Sequence, residues 1–481
     1  MSAVQRRNRE YLYLALVLIM AVFVRIIDLP ARSLWYDELQ TVTFSILPLD
    51  ELLQSVRAFD PHPPLYYLQL HFWMLFGVAD WWIKLNSVIW SILALVMVYL
   101  VSRDLFDSPV ALLAALIFAL SPFAIAYAQE ARMYAMLMFL GTGAFFFFQR
   151  SVERRNWWYL PPAMLFALGF LYTHGAGFMI LVSLGSYALL ILLESRFRRR
   201  QSFLVLLAAL LAVLLLAIPW LRTAASISVG HALQPTAQQV ADTIFILLAG
   251  FTDYPAWLSL GLVILFTAAL FATLIDDVHA RAIGLAFGLV PIVFALLVSY
   301  LYRPIWLYRT LAYVVPFWSI LIAYSLSGIF QAGRPFRHGS GRMWVRYGLL
   351  FTVLLVLVHA TLLQQRTFAR TWEFKEASQF LRSAAVEGEV IYVPNLRVFW
   401  GMGWYLIGSG SVNPLTTTYS LTMDSGATLV SKPASAPPSQ DRTDWLVYRH
   451  IDHIAPFVEN PSDESVWEFR KLIVSRVEES E

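Results

Sequence analysis

The sequence predicts an all-α protein that crosses a membrane many times and carries a small α/β domain at its C-terminal end. Of its 481 residues, 59% are hydrophobic and 14% are charged. The mean hydropathy of +0.62 is far above that of an ordinary soluble domain. Apolar runs of about 20 residues recur along the chain, long enough to cross a bilayer as helices. Basic residues cluster in every second connection between these runs.

The apolar runs predict about eleven transmembrane helices. The first follows Arg6, Arg7 and Arg9 and resembles a signal peptide. No small-residue cleavage site follows it, so we interpret it as a retained helix. The predicted helices cover residues 11–27, 83–102, 109–127, 133–149, 157–173, 176–194, 202–221, 257–275, 282–301, 308–329 and 345–364.

The basic connections predict the orientation, because Lys and Arg are in excess in short cytoplasmic loops. With the N-terminal arginines inside, the other basic connections fall on the same side. They hold Arg103, Arg150, Arg154, Arg155, Arg196, Arg198, Arg199, Arg200, Arg281, Arg334, Arg337, Arg342 and Arg346. We expect a multi-pass protein of the cell inner (plasma) membrane with a cytoplasmic N-terminus and an extracytoplasmic C-terminus. An endoplasmic-reticulum membrane is the alternative.

This orientation divides the chain into a transmembrane domain over residues 1–364 and an extracytoplasmic domain over 365–481. The tail is polar enough for a small α/β domain. Its patterns indicate a helix near 372–385 and strands near 389–393 and 444–449.

The first outer loop contains the apolar segment 64–78, which is short for a span and rich in Tyr, Trp and His. Such a composition is typical of a helix that lies in the membrane interface. Counting it as a span would put every later arginine cluster outside. We therefore predict juxtamembrane helices in this loop.

The composition also excludes several classes of function. The absence of cysteine excludes thiolate metal sites, cysteine nucleophiles and disulfides. Lys and Arg (35) nearly balance Asp and Glu (32), and no basic domain stands apart from the membrane-flanking clusters, which argues against nucleic acid as a partner.

The strongest candidate for catalysis is the adjacent pair Asp37 and Glu38, which follows Leu34-Trp35-Tyr36 in the first outer loop. Ionisable groups at membrane depth are costly and usually functional. Neighbouring positions on a helix face different ways, so one carboxylate can face a pocket while the other caps or pairs elsewhere. The pair suits one general base. Alternatively, both acids cap a short interfacial helix or pair with Arg32.

The motif Asp60-Pro61-His62-Pro63-Pro64-Leu65-Tyr66-Tyr67 leads into the interfacial helix. Its prolines favour extended backbone and place His62 beside Asp60. His62 is a candidate metal ligand or proton relay, although a single histidine is more often a solvated turn residue. The need for a divalent metal, and its ligands, stay open.

The segment Gln129-Glu130-Ala131-Arg132-Met133-Tyr134 is a polar interruption between two predicted spans. The guanidinium of Arg132 matches a phosphate bidentately, and the neighbouring polar groups suit a phosphate or a sugar. The alternative is an arginine that snorkels to the interface.

Further candidates lie at the outer ends of other spans. Arg303 and Arg309 flank an outer loop against the positive-inside trend. A bound lipid phosphate explains them, and ion pairs with Glu130 or Asp37 are the alternative. His174 follows Tyr172-Thr173, and Lys84 begins the second span as either a phosphate contact or a snorkelling anchor.

Together these motifs resemble the GT-C glycosyltransferases of the protein-mannosyltransferase and aminoarabinose-transferase type, in the bacterial branch called family 39. The match rests on three ordered segments, with weaker similarity at Tyr172-Thr173-His174 and Tyr308-Arg309. The segments are Leu34-Trp35-Tyr36-Asp37-Glu38, His62-Pro63-Pro64-Leu65-Tyr66-Tyr67 and Gln129-Glu130-Ala131-Arg132-Met133-Tyr134.

The resemblance implies an enzyme that moves a sugar, with inversion, from a polyprenyl-phosphate carrier to an acceptor hydroxyl on the outer face. The acceptor is a lipid, a glycan or a protein. Asp37 matches the family's base and Glu38 supports it. Cations for the leaving phosphate are Lys84, Arg132, Arg303 and Arg309, and the other implied substrate-binding residues are Glu130, Tyr134, His174, His62 and Tyr66. No nucleotide cofactor is implied.

Two departures from the family pattern concern the phosphate ligands: Lys84 stands where many relatives have arginine, and Thr310 where they commonly have tyrosine.

The main alternative function is that of a transporter or flippase. Transporters tend to show internal repeats and interrupted helices at the midplane, whereas the polar residues here gather at one face.

Overall fold

The computed structural model describes the chain in segments, between which residues are left undescribed. The described residues are 3–27, 29–154, 156–226, 234–251, 277–331, 351, 353–364, 373–393, 395–411, 413–415, 420–431, 445–449, 466–469 and 472–476. They form two compact units. The helical unit comprises Met1–Ile27, Asp60–Tyr66 and Ser87–Phe368, and the mixed unit comprises Asp28–Phe59, Tyr67–Asn86 and Ala369–Glu481.

The α-helices are numbered in chain order. They are α1 Ala3–Ile26, α2 Tyr36–Ser45, α3 Leu49–Phe59, α4 Leu65–Met74, α5 Asp80–Leu105, α6 Ser108–Ala119, α7 Pro122–Ala128, α8 Tyr134–Glu153, α9 Leu160–Leu171, α10 Met179–Glu194, α11 Arg200–Ser226, α12 Ala237–Ala249, α13 Val278–Ile283, α14 Val290–Leu301, α15 Val315–Gln331, α16 Val353–Gln364, α17 Phe374–Ala384 and α18 Leu396–Leu406. A π-helical stretch, Gly284–Leu289, joins α13 to α14, and a 3₁₀ stretch, Tyr308–Val314, precedes α15.

Several described helices are long and apolar enough to cross a membrane. They are Asp80–Leu105, Tyr134–Glu153, Arg200–Thr223, Val278–Leu301 and Tyr308–Ser327, and the bent pair α6 and α7 is long and apolar enough when its two helices are taken together. Shorter apolar helices cover Trp157–Leu171, Met179–Glu194, Ala237–Ala249 and Val353–Gln364. The polytopic helical fold class is therefore confirmed. The span predicted at 257–275 lies outside the described residues, and α12 was missed because its 13 residues fall below span length.

The segment predicted as one span over 109–127 is broken. Helices α6 and α7 meet at 59°. Pro122 begins α7 and has no N–H with which to continue the preceding helix. Ser121 caps the new helix by accepting a hydrogen bond from the N–H of Ala124 at 3.3 Å.

A fully buried arginine, Arg25 at the end of α1, stabilises this break. Its guanidinium donates to the carbonyls of Phe118 (3.3 Å) and Ala119 (2.9 Å) at the end of α6. It also donates to the hydroxyl of Ser91 at 2.9 Å. The last carbonyls of a helix have no partner within it, and in a membrane water does not supply one. Arg25 therefore supplies donors where the span is interrupted.

The mixed unit contains a six-stranded sheet and confirms the predicted α/β character of the C-terminal region. The strands are β1 Val390–Tyr392, β2 Ser420–Thr422, β3 Thr428–Val430, β4 Trp445–Arg449, β5 Val466–Phe469 and β6 Leu472–Arg476, in the order β2-β3-β1-β4-β6-β5. Strands β3, β1 and β4 are parallel, and the outer pairings are antiparallel.

The segment between α1 and α5 contributes α2, α3 and most of α4 to this unit. The segment predicted as interfacial forms α4, whose 10 residues are too few to span a membrane. Helix α18 packs on α2, where the ring centroids of Phe44 and Trp400 lie 6.0 Å apart. Leu39 and Phe44 are fully buried. The domain boundary predicted between residues 364 and 365 did not group α2 with the C-terminal domain. The reason is that the apolar faces of α2 and α18 are more than 300 residues apart in sequence.

We predict that Arg25→Met destabilises the protein, because several buried acceptors lose their donor, each at a cost of about 1–3 kcal/mol. The measurement is thermal unfolding in detergent. The control is Arg103→Met, which removes a 48% exposed arginine that pairs with Glu10 at 2.8 Å; such pairs contribute at most about 1 kcal/mol. Arg25→Met should melt below the control. Equal melting temperatures for Arg25→Met and the wild type would contradict the role given to Arg25.

Candidate active site

The two adjacent acids, Asp37 and Glu38, differ in their surroundings. Both lie in the first turn of α2, which begins after Trp35, a residue with extended backbone (φ −99°, ψ 174°). The Oε2 of Glu38 accepts a hydrogen bond from the N–H of Trp35 at 2.9 Å, and Glu38 is 1% exposed. Asp37 is partly exposed. Glu38 therefore caps the helix that carries Asp37, whereas part of the surface of Asp37 is exposed.

Lys84 holds the backbone of the same loop. Its Nζ donates to the carbonyls of Arg32 (3.1 Å) and Ser33 (3.0 Å) and lies 3.8 Å from the Oε2 of Glu38. With 2% of its surface exposed, Lys84 is far more enclosed than a snorkelling anchor. The structure thus gives Lys84 a local role in the loop, and its predicted contact with a lipid phosphate stays a prediction.

In the helical unit, the loop with the three prolines lies against the loop that follows α9. The N–H of Leu65 donates to the carbonyl of Tyr172 at 3.0 Å. The N–H of Gly175 donates to Nδ1 of His62 at 3.2 Å. A Cβ atom at position 175 would lie 2.8 Å from the carbonyl oxygen of Pro61, so glycine is required for this close approach.

The contact between these loops brings His62 and His174 together, with ring centroids 4.4 Å apart. Nδ1 of His174 accepts a hydrogen bond from the N–H of Ala176 at 3.0 Å. A nitrogen that accepts from a backbone N–H carries no proton, so each neutral ring bears its proton on Nε2. Both histidines are thus hydrogen-bond donors through Nε2.

Burial lowers the pKa of both histidines well below the ordinary value, and neighbouring positive charges lower it further. For His62 these charges are on Arg132 and Arg309. For His174 they are on His62, Arg309 and Arg132. Both rings are therefore neutral at physiological pH.

His62 and His174 form part of the wall of a cavity of about 530 Å³ in the helical unit. Arg303, Arg309 and Thr310 add polar groups to the wall. The remaining lining is largely apolar and includes Phe178, Leu214, Leu221, Val298 and Leu307. Cations and N–H donors beside an extended apolar surface suit an amphipathic anion.

The segment after α7 is buried in the helical unit. Glu130 is 4% exposed and Arg132 is 5% exposed. The carbonyl of Arg132 accepts from the hydroxyl of Ser87 at 3.5 Å, and that hydroxyl lies 3.3 Å from the hydroxyl of Tyr66. Arg132 is therefore more enclosed than the alternative of a snorkelling arginine requires.

Tyr134 lies near the histidine pair. Its ring centroid is 6.1 Å from that of His174 and 4.5 Å from that of Tyr127. Gln129, from the same motif, donates through Nε2 to the carbonyls of Arg25 (3.2 Å) and Ile27 (3.1 Å). Gln129 therefore attaches the motif to the end of α1.

Sequence reasoning did not single out Arg25 or Gly175. An arginine within an apolar run was a signal for the first, and a glycine after a motif histidine was a weak signal for the second.

Within the described residues, no three His, Asp or Glu side chains are grouped closely enough to hold a metal ion.

Comparisons with known proteins agree with the motif resemblance. Residues 61–221 match the family described as dolichyl-phosphate-mannose-protein mannosyltransferase. This range includes His62, Lys84, Arg132 and His174 but not Asp37. A comparison with curated proteins finds no match.

Solved structures show the same fold over most of the chain. ArnT from Cupriavidus metallidurans in the apo state has a TM-score of 0.61 and 13% identity, with 98% of both chains covered. The same ArnT bound to undecaprenyl phosphate has a TM-score of 0.59 and 12% identity, also with 98% of both chains covered. The Archaeoglobus fulgidus oligosaccharyltransferase complex with Zn and sulfate has a TM-score of 0.56 and 12% identity, covering 91% of this chain and 68% of that chain. The predicted resemblance is confirmed, since the chain has a GT-C-like fold.

The neutral histidine pair predicts a loss of stability in acid. In the unfolded chain a histidine binds a proton below a pKa of about 6.5, whereas in the folded protein the pKa of His62 and of His174 is lower. The unfolded state therefore binds more protons as pH falls below about 6.5, and stability falls by up to about 1.4 kcal/mol per pH unit for each histidine. Above about pH 7.5 this contribution is absent.

Melting temperatures in detergent between pH 8 and pH 5 test this prediction. His174→Asn should make the acid-side decline shallower, and His62→Asn combined with His174→Asn should make it shallower still. The same decline in the wild type and in the double variant would show that the pair does not fold in its neutral form.

Proposed function

We propose that the protein is an inverting glycosyltransferase that moves a sugar from a polyprenyl-phosphate carrier to an acceptor hydroxyl. The acceptor is a lipid, a glycan or a protein, and the reaction takes place on the extracytoplasmic face. The orientation rests on the alternation of basic connections, which puts the N-terminus in the cytoplasm and the C-terminal region outside.

The observation that carries this proposal is the cavity in the helical unit. Its polar wall holds the guanidinium groups of Arg303 and Arg309 and the rings of His62 and His174. Its apolar wall offers a surface that matches an isoprenoid chain. A lipid phosphate needs both kinds of surface, because its head group carries charge and its tail is hydrocarbon.

The donor groups in this wall suit the departure of a phosphate. As the bond from the anomeric carbon to the phosphate oxygen breaks, negative charge grows on that oxygen. Fixed cations and N–H donors stabilise the growing charge and need no reorganisation during the reaction. Arg303 and Arg309 supply the cations, and the Nε2–H groups of His62 and His174 are neutral donors. Arg132 and Glu130 are proposed contacts of the phosphate and the sugar, together with Tyr134 and Tyr66.

Asp37 is the proposed general base. It accepts the proton of the acceptor hydroxyl while the hydroxyl oxygen attacks the anomeric carbon, and the lipid phosphate leaves from the opposite side. Two features support this role. Asp37 lies in a motif that resembles the family's base motif, and its partner Glu38 is committed to the Trp35 N–H and to Lys84.

We predict that Asp37→Asn abolishes sugar transfer, since an amide cannot accept the proton. Removal of a general base lowers the rate by roughly 10²–10⁴-fold. The assay incubates purified protein with polyprenyl-phosphate sugars and detects the sugar product and released polyprenyl phosphate. Binding of polyprenyl phosphate and thermal stability should be unchanged.

The matched control is Asp50→Asn, which makes the same change at an exposed position in the first turn of α3. It should retain the wild-type rate. Transfer at the wild-type rate by Asp37→Asn would exclude Asp37 as the base. Movement of a lipid substrate across sealed vesicles without a covalent product would instead favour the transporter or flippase alternative.

We also predict that Arg309→Gln weakens binding of the lipid-phosphate donor. One charge-assisted hydrogen bond contributes about 1.5–3 kcal/mol, so the Kd for polyprenyl phosphate should rise by roughly 10- to 150-fold, measured by titration in detergent. Arg103→Gln, which removes the partner of Glu10, is the control and should bind like the wild type. Unchanged affinity in Arg309→Gln would exclude Arg309 as a phosphate ligand.

A further inference from the structure

The chain just before Asp37 is irregular backbone, and its polar groups are satisfied by side chains of the mixed unit. Lys84 donates to the carbonyls of Arg32 and Ser33, and Glu38 accepts from the N–H of Trp35. The N–H of Leu34 lies between these groups. Leu34 itself is fully buried.

The partner of this N–H comes from the C-terminal part of the chain. The hydroxyl oxygen of Tyr405, in α18, accepts from the N–H of Leu34 at 2.7 Å. The same hydroxyl donates to Oδ2 of Asp80 at 2.8 Å. One hydroxyl therefore joins the loop before Asp37, the first residue of α5 and α18.

Tyr405 is a hydrogen-bond donor at physiological pH. Burial and the nearby carboxylate of Asp80 raise the pKa of the phenol well above its ordinary value. The hydroxyl thus keeps its proton, and its two hydrogen bonds keep their directions.

The position of Tyr405 is fixed by packing on both sides of α18. A Cβ atom at Gly401 would lie 2.7 Å from Cδ1 of Leu39 and 2.6 Å from Cε1 of Phe374, so α18 lies against α2 and α17 without room for a methyl group. Arg382 of α17 donates to the carbonyls of Tyr405 (2.7 Å) and Leu406 (2.9 Å) at the end of α18. The guanidinium of Arg397 lies 5.3 Å from the ring centroid of Tyr36.

We propose that Tyr405 is a positioning residue for the transfer reaction, and that the C-terminal region holds Asp37 in its reactive place through the Tyr405 hydroxyl, Leu34 and α2. The C-terminal region thereby has a role in the chemical step itself. This inference rests on the proposed function, because it takes Asp37 as the base.

The test is Tyr405→Phe, which removes one oxygen atom and keeps the ring. A displacement of about 1 Å at a reacting group costs on the order of 10²-fold in rate. We expect kcat to fall by roughly 10- to 100-fold, while KM for the polyprenyl-phosphate sugar stays within about twofold of the wild type. Tyr392→Phe, the same change at a buried tyrosine of β1, is the matched control and should keep the wild-type kcat.

A second measurement does not depend on activity. Hydrogen–deuterium exchange of a peptide covering residues 32–36 should be faster in Tyr405→Phe than in the wild type, because the N–H of Leu34 loses its acceptor. The same peptide in Tyr392→Phe should exchange like the wild type. Gly401→Ala, which keeps the hydroxyl but displaces α18, should lower kcat and speed exchange in the same peptide.

The outcomes separate the two proposals. Wild-type kcat in Tyr405→Phe with an inactive Asp37→Asn would overturn the positioning role and leave the base in place. Full activity of Asp37→Asn would overturn the proposed function. Unchanged exchange of residues 32–36 in Tyr405→Phe, or an equal loss of kcat in Tyr392→Phe, would also overturn the positioning role.

Discussion

Side chains pair with several backbone groups of the irregular segment just before Asp37. The carbonyls of residues 32 and 33 accept from Lys84, and the N–H groups of residues 34 and 35 donate to Tyr405 and Glu38. Irregular backbone that is shielded from water is costly unless its polar groups are paired. The geometry of the acidic motif therefore depends on residues up to about 370 positions away in sequence.

In the helical unit, a different buried cation donates to backbone carbonyls. Where α6 ends and α7 turns away, the free carbonyls at the helix end accept from the guanidinium of Arg25. Arg25 and Lys84 are both buried cations that serve backbone oxygens. A buried charge in a membrane protein is thus not by itself evidence of a substrate site. A charged residue that lines a cavity is a better candidate for binding a substrate than one that serves backbone oxygens. Arg303 and Arg309 line a cavity.

The sequence predicted the helical membrane fold, a short helix at α4 and the α/β character of the tail, because hydrophobic runs and alternation depend on local composition. The assignment of Asp37 as the base, with Glu38 as its support, stays a prediction. The sequence did not predict the break at Pro122, the role of Lys84 within the loop, or the packing of α18 on α2. These features depend on contacts between distant residues. The sequence also did not predict the tautomers of His62 and His174, because backbone N–H donors determine them.

The activity proposed for this protein is cleavage of the bond between the anomeric carbon and a lipid phosphate, which is the leaving group. The most direct measurement is the stoichiometry and stereochemistry of a single turnover with a polyprenyl-phosphate sugar of known anomeric configuration. Such a turnover should release one free polyprenyl phosphate for each sugar transferred and give the product the opposite anomeric configuration. Retention of configuration, or sugar that remains on its carrier, would contradict the proposed transfer with inversion.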